Sequence, residues 1–488
     1  MRAAIPTTIG VGTSGAPLRR PEVRVLFSGW LFHAIILRYP KSMSMLFDRL
    51  RLGAWCRNGT QHDPAPDCRW GDLAAILAAG LGVAGYLSWR GATNTALFIM
   101  LLLALLHGPG WWAEARGQWR RFVPLMIALA APIVALAIGQ LLRHEWVLKA
   151  FDAPMRMLLA IPILLYFHQR RIDFARIVGY AAPLGLFAML IEVWLNPAAS
   201  GQWGGRYATY FVDTDTFGVY GLVLTGFCLF SLRVAPGGRG KLLAAWQSLG
   251  VLVGIALIIG SGTRTAWYVI PLVFALWLWL NRRSVRLWWL LVGIAALAAV
   301  LILDREIAAR LVSGYDEIRQ WLTGTQRDTS AGLRLTMWHI SWELFKHRPW
   351  DGYGDTGYLA FLGQPWITSI APPSQAIAIE HGPHNELLAN LLRSGVAGGV
   401  AVLCQFLIPL VFFARRCHAA DDAVKRASRL GLIYIVCVMV MSVGFEMFTL
   451  KYTASFYGLM IACLGAQVLA GEGAARQAAS RTTEVAHG

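Results

Sequence analysis

Long apolar stretches separated by short polar loops run through most of this chain, and they constrain its fold more than any other feature. A helix of roughly 20 apolar residues crosses the hydrocarbon core of a bilayer. The sequence therefore predicts an all-α polytopic membrane protein with about 12 transmembrane helices. The twelve predicted spans lie near 72–89, 92–107, 122–142, 154–168, 175–195, 216–232, 242–260, 265–280, 286–303, 385–413, 429–446 and 453–470.

The composition agrees with a membrane protein. Hydrophobic residues make up 56% of the 488 residues and charged residues only 15%, which leaves too little polar surface for a soluble chain of this length. The formal net charge of +17 would suggest nucleic acid in a soluble protein. In a membrane protein it reflects the Lys and Arg residues that hold loops in the cytoplasm, so nucleic-acid binding is not expected.

The basic residues of the loops predict the orientation. Alternate loops carry seventeen and six Lys or Arg residues, and the basic amino-terminal segment lies with the richer set. By the positive-inside rule both termini are then cytoplasmic, and the long polar interval is periplasmic in a Gram-negative cell. The predicted regions are a cytoplasmic or interfacial segment (1–71), nine spans (72–303), the periplasmic loop (304–384), three spans (385–470) and a cytoplasmic tail (471–488).

The periplasmic loop is expected to be helical rather than disordered. Leu333, Met337, Ile340 and Leu344 recur at helical spacing, with tryptophans that widen the apolar stripe. The segment 349–354 has the glycines of a tight turn. We expect short helices that cover the outer ends of the spans.

Three arginines and a histidine stand at unusual places on the predicted outer side: Arg206, Arg264, Arg334 and His384. A guanidinium is a planar, permanently charged donor fork that suits phosphate or diphosphate, and a histidine accepts a proton near neutral pH. Any one arginine is also explained by snorkelling, and His384 with Asn385 by capping of the following helix. Because all four residues lie on the same predicted side of the membrane, a site for a phosphate-bearing lipid is favoured.

Two carboxylates nearby offer a rival interpretation. Asp213 and Asp215 are suited to a divalent metal, or else to capping of the sixth span. His381 and His384 are three residues apart, but Gly382-Pro383 between them opposes one regular helical face. Capping is the preferred interpretation, and no metal site is predicted.

Assembled in chain order, these residues resemble the family of O-antigen ligases, which also contains O-antigen polymerases and pilin oligosaccharyltransferases. His384-Asn385 followed after nine residues by Gly395-Val396-Ala397-Gly398 matches a ligase pattern. The segment 261–264 is similar to the family's Ser-Gly-Ser/Thr-Arg, and Arg334 with the 349–354 turn is similar to its periplasmic loop. Where many relatives have Pro-Asn before the sixth span, this chain has Asp213-Thr214-Asp215-Thr216.

The resemblance implies a GT-C type glycosyltransferase fold in the bacterial inner membrane, with the active site facing the periplasm. It implies inverting transfer of O-antigen from an undecaprenyl-diphosphate-linked donor to a lipid A-core acceptor, without metal or other cofactor. His384 is then the base, and Arg206, Arg264 and Arg334 bind the diphosphate. An O-antigen polymerase and a protein (pilin) O-oligosaccharyltransferase of the same family are the alternatives, and a transporter for an anionic substrate is a different class. The sequence does not indicate an oligomeric state.

Overall fold

The computed structural model describes residues 70–232, 238–282 and 305–487. Within these ranges the chain forms seventeen α-helices and three 3-10 helices, and no strand is present there. The α-helices are α1 Trp70–Ala84, α2 Ala92–Leu106, α3 Gly108–Arg143, α4 Asp152–Leu158, α5 Ala160–Arg170, α6 Phe174–Leu195, α7 Pro197–Gly201, α8 Thr214–Ser231, α9 Gly238–Ser261, α10 Arg264–Asn281, α11 Arg305–Thr323, α12 Ser330–His347, α13 Pro365–Thr368, α14 Pro373–Ala376, α15 Glu386–Ala414, α16 Asp422–Met441 and α17 Lys451–His487. The 3-10 helices are Leu148–Phe151, Gly357–Phe361 and Ile377–His381.

Seven helical segments in these ranges are long and apolar enough to cross a membrane, so the chain is a multi-pass membrane protein. They are Arg116–Arg143, Leu148–Arg170, Phe174–Leu195, Thr214–Ser231, Gly240–Ser261, Glu386–Ala414 and Lys451–Arg476. Each coincides with a predicted span, which confirms the all-α membrane class.

The remaining predicted spans are not confirmed as crossings. The spans near 72–89 and 92–107 correspond to α1 and α2, which have 15 residues each. The spans near 265–280 and 429–446 correspond to α10 and α16, which are helical but are not among the seven. The span near 286–303, like almost all of segment 1–71, lies outside the described residues. The total of twelve therefore stays a prediction.

Helix α17 lies at the centre of the bundle. The apolar window that marks it as a span is entirely buried, and its Ala, Ser and Gly residues let neighbouring helices approach closely. Gly458 faces Ala160 at the start of α5, and Gly465 faces Leu125 of α3, each with little or no room for a β-carbon. Within a bilayer the hydrophobic effect does not drive helices together. Close packing of small residues therefore stabilises the contacts of α17.

Residues 305–384 form a helical loop domain with a small core of its own. As predicted, α12 presents Met337, Ile340 and Leu344 inward, where they pack with Tyr353 and Tyr358. Leu333 is only half-buried, and Trp342 is largely exposed. Leu392 of α15 belongs to the same cluster, so the loop domain packs directly on this helix.

Helix α15 is broken at Ser394 and Gly395, and the break anchors the loop domain. Gly395 has φ 61° and ψ −149°, a conformation that is essentially restricted to glycine. The predicted turn at 349–354 fills the gap: the N–H of Tyr353 donates to the carbonyl of Leu392 at 2.6 Å, and Val396 N–H donates to the carbonyl of Pro349 at 2.7 Å. The turn thus satisfies backbone groups that a break in a membrane helix would leave unpaired.

Candidate active site

Arg206 is positioned by a glycine turn that docks on the end of α9. Gly204 and Gly205 have φ of 65° and 84°, and Tyr207 then packs so closely on Gly260 that a β-carbon there would lie 2.3 Å from the ring. The N–H of Tyr207 donates to the carbonyl of Gly260 at 2.9 Å. Arg206 consequently donates from Nε to the carbonyl of Ser261 at 2.8 Å and pairs with Asp215 at 3.0 Å.

The segment 261–264 forms the tight connection between α9 and α10. Gly262 turns the chain with φ 65°, and the Thr263 hydroxyl donates to the carbonyl of Thr214 at 2.9 Å, which ties the connection to α8. Arg264 is the first residue of α10. The helix dipole disfavours a cation at this end of a helix. The guanidinium and the positive end of α10 would therefore both attract an anion.

Arg264 joins the spans to the loop domain. It donates to Glu317 of α11 at 2.7 Å and to the hydroxyl of Ser313 at 3.1 Å. Burial raises the pKa of Glu317, but the hydrogen bonds from Arg264 and from the backbone of Ala331 outweigh it, and the net pKa lies below the usual range. The carboxylate therefore remains charged at neutral pH and fixes the arginine.

Arg334, on α12, differs from Arg206 and Arg264 because it has no ion-pair partner among the described residues. It is half-buried, and its guanidinium lies over the ring of Phe445, 5.6 Å from the centroid. Among the described residues no carboxylate forms an ion pair with it, although Asp215 and Glu317 act on it from farther away. Burial lowers the pKa of Arg334, and Arg264 and Arg206 lower it further. The group stays protonated at pH 7, so a desolvated cation is held beside two other arginines.

His384 lies in the same cluster with a left-handed backbone. Its φ is 50°, an uncommon value for a residue with a side chain. The backbone N–H donates to Glu446 Oε1 at 3.3 Å, and Trp338 Nε1 holds the preceding carbonyl of Pro383 at 3.1 Å. Asn385 caps α15 by accepting from the N–H of Leu388 at 3.0 Å. The capping interpretation is thus right for Asn385, while the His384 side chain is not the cap.

The surroundings of His384 favour the neutral ring. Burial is the main cause that lowers its pKa below the usual value, Arg334 and His381 lower it further, and Asp215 and Asp213 act in the opposite direction. The ring is therefore unprotonated at neutral pH and able to accept a proton. Trp338, one turn after Arg334 on α12, bonds to the residue before His384, which brings the two segments together.

Asp213 and Asp215 have structural partners. Asp213 is the N-cap of α8 and accepts from the N–H groups of Asp215 and Thr216, both at 2.9 Å. Asp215 holds Arg206. The capping role preferred from the sequence is therefore found for Asp213, and Asp215 belongs to the arginine cluster.

The sequence interpretation missed the loop 442–450, which contacts Arg334 and the backbone of His384. The predicted span near 429–446 includes the first residues of this loop, but α16 ends at Met441. The ring of Phe445 faces the guanidinium of Arg334, and the carboxyl of Glu446 accepts the backbone N–H of His384. Glu386 at the start of α15 accepts the N–H of Phe448 at 3.1 Å and fixes the loop. Glu446, a single glutamate in an apolar run, was the sequence feature that could have indicated this loop.

Gly382 shows how closely Glu446 is held. A β-carbon on Gly382 would lie 1.9 Å from Glu446 Oε1, and its φ is 95°. Burial raises the pKa of Glu446 to about 7, and Glu386 raises it as well, while Arg393 acts in the opposite direction. The carboxyl is thus balanced between its two protonation states where it contacts the histidine backbone.

Comparisons with known proteins found two similarities. The chain is 24% identical to an uncharacterized protein of Haemophilus influenzae in an alignment of 307 residues, which covers 59% of this chain and 72% of that protein. Residues 249–403 match the family described as O-antigen ligase. The matched range contains Arg264, Arg334, His384 and the α15 break, whereas Arg206 precedes it. Over this range the chain is similar to the O-antigen ligase family.

Proposed function

We propose that this protein is a glycosyltransferase that ligates O-antigen polysaccharide from undecaprenyl diphosphate to the lipid A-core oligosaccharide at the periplasmic face of the bacterial inner membrane. The observation that carries the proposal is the half-buried, unmatched charge of Arg334 beside Arg206, Arg264 and a neutral His384. Such a cluster is complementary to a lipid diphosphate next to a proton acceptor.

In the proposed reaction an acceptor sugar hydroxyl attacks the anomeric carbon of the donor. The bond from that carbon to the diphosphate oxygen breaks, and its electron pair leaves with the lipid diphosphate. His384 takes the hydroxyl proton, a role that typically contributes about 10²–10⁴ in rate. Arg334 stabilises the charge of the leaving group, Arg206 adds donors from the turn that docks on α9, and Arg264 adds donors from the start of α10. Attack opposite the leaving group inverts the anomeric centre.

Purified protein in nanodiscs, given lipid-linked O-antigen and lipid A-core, tests the proposal. The expected product is glycosylated lipid A-core with release of the lipid diphosphate. Lengthening of the lipid-linked glycan alone would identify a polymerase, and glycan on pilin alone would identify a protein glycosyltransferase. Either result, or the absence of covalent transfer, would overturn the ligase assignment.

A further inference from the structure

A cavity of about 450 Å³ adjoins the segment 381–383, which directly precedes His384. Its walls are the 3-10 helix Leu148–Phe151 and α4, the loop domain, the start of α15 and the loop 442–450. Pro383 and Glu446 line it, whereas Arg206, Arg264 and Arg334 do not. The cavity and the arginine cluster are thus two compartments that share the segment carrying His384.

The chemistry of the cavity differs from that of the arginine cluster. Its basic groups are largely occupied: Lys451 pairs with Asp152, and Arg393 pairs with Asp355. Lys149 contributes a further cation, and Glu380, Glu386 and Glu446 contribute carboxyl groups. Five acidic residues therefore face three basic ones in this lining. Since Glu446 is only partly charged at neutral pH, the lining has no excess of positive charge to hold a second diphosphate.

The other lining groups are suited to hydroxyls. Asn390 and Gln405 bring amides whose NH2 groups already donate to Glu386 and to Met157, so their oxygens are the groups offered to a hydroxyl. Tyr358 brings an aromatic ring. Carboxylate and amide oxygens accept hydrogen bonds from alcohols, and an aromatic ring packs on the apolar face of a pyranose. The volume lies in the range of about 300–1,000 Å³ that is usual for small-molecule sites.

We propose that this cavity binds an uncharged, hydroxyl-rich saccharide unit. The inference rests on the proposed function and adds a division of the substrates by charge: phosphates on the arginine side of the histidine segment, neutral sugar on the carboxylate side. The sugar belongs either to the lipid A-core acceptor or to the glycan of the donor. Glu446 connects the two compartments, because its carboxyl both lines the cavity and accepts the N–H of His384.

Binding measured without turnover tests the inference separately from the ligase assignment. The probes are lipid-free core oligosaccharide, lipid-free O-antigen oligosaccharide and inorganic pyrophosphate, titrated into protein in nanodiscs and followed by saturation-transfer NMR. Maltoside detergents are avoided because their head group is itself a disaccharide. Ala150→Trp fills the cavity, and Glu380→Gln removes one carboxylate at its exposed rim. Ala198→Trp and Asp316→Asn are matched controls at exposed sites outside the lining.

We expect one oligosaccharide to bind wild type and both controls, with affinity lowered about tenfold by Ala150→Trp and about fivefold by Glu380→Gln. Pyrophosphate affinity should be unchanged in all four variants. A response confined to core oligosaccharide assigns the cavity to the acceptor, and one confined to O-antigen oligosaccharide assigns it to the donor. Equal oligosaccharide affinity in wild type and both cavity variants would overturn the inference, as would displacement of the sugar by pyrophosphate. Sugar binding by a protein without transfer activity would contradict the ligase assignment and leave the cavity as a saccharide site.

Discussion

At the scale of single residues, the cluster separates two kinds of positive group. Arg206 and Arg264 have carboxylate partners that fix them, whereas Arg334 lies over Phe445 without an ion-pair partner among the described residues. His384 is neutral because burial and Arg334 both oppose its protonation. The predicted roles of base and diphosphate ligands are therefore tested by different substitutions.

Replacement of His384 should separate donor binding from transfer. His384→Gln keeps hydrogen bonding but has no usable basicity, so we expect single-turnover transfer to fall by about 10²–10⁴ with donor affinity within about twofold of wild type. His384→Ala should behave in the same way. A His384→Gln protein that transfers glycan at the wild-type rate, with expression equalised, would remove the histidine from the mechanism.

The pH profile should show the depressed pKa of His384. A base with a lowered pKa is active above that pKa, and its activity is lost as the pH falls through it. We therefore expect the acid limb of kcat/KM to lie below pH 6.5, the ordinary value for histidine. Glu446, whose pKa is about 7, adds a second titration. In Glu446→Gln the limb assigned to His384 should persist, and in His384→Gln it should disappear from the residual rate.

Arg334 and Arg264 should differ in their effect on stability. Arg334→Gln removes a half-buried cation without an ion-pair partner, so we expect an unchanged or higher Tm together with at least tenfold weaker donor binding. Arg264→Gln leaves Glu317 unpaired and should lower the Tm as well as donor affinity. Measurement of Tm and pyrophosphate binding for both variants distinguishes ligand groups from structural ones. Equal donor affinity in Arg334→Gln and wild type would contradict its role.

Among the structural elements, the broken helix α15 determines the position of the loop domain. The Gly-x-x-Gly pair is explained by packing: a β-carbon on Gly395 would meet the carbonyl of Pro349 at 2.4 Å, and one on Gly398 would meet the carbonyl of Asn390 at 1.9 Å. Arg143 at the end of α3 also donates to the carbonyl of Arg393 at 2.8 Å. Three separate parts of the chain thus meet at the break.

Substitution at the break should loosen the loop domain. Gly395→Ala forces a β-carbon into a backbone contact and into a glycine-only conformation, which together should cost about 3 kcal/mol or more. We expect a clearly lower Tm and faster proteolysis within 305–384. Gly363→Ala is the matched control, because Gly363 is in the same domain with open space around it. Similar stability of the two variants would mean that the break does not hold the domain.

The charged groups of the site could be predicted from the sequence better than the residues that hold them in place. Arg206, Arg264, Arg334 and His384 were recognisable because basic residues are sparse on the predicted outer side of the spans. Phe445 and the break at Gly395 were not, because an aromatic or a glycine in an apolar run is typical of a helix interior. The end of α16 at Met441 depends on contacts with α15, such as Glu386 N–H to the carbonyl of Ser442 at 2.9 Å. Such contacts are set by tertiary packing.

At the scale of the whole molecule, the site requires the loop domain to lie on the predicted outer side. Single cysteines at Gln326 and Gln364, both exposed, should react with a membrane-impermeant reagent added from the periplasm. A cysteine at the exposed Lys241 should react only after the membrane is opened. The native cysteines give the background. Labelling of Lys241→Cys from outside would reverse the orientation and place His384 on the cytoplasmic side.

The docking of the 349–354 turn on α15 also has a consequence for biosynthesis. Pro349 bonds to Val396, which is synthesised 396 − 349 = 47 residues later. At roughly 5–20 residues per second, the turn waits some seconds for its partner. During that interval the growing loop domain lacks its anchor on the membrane. The anchor forms only when α15 leaves the translocon and meets the turn, so completion of the loop domain is coupled to insertion of this helix.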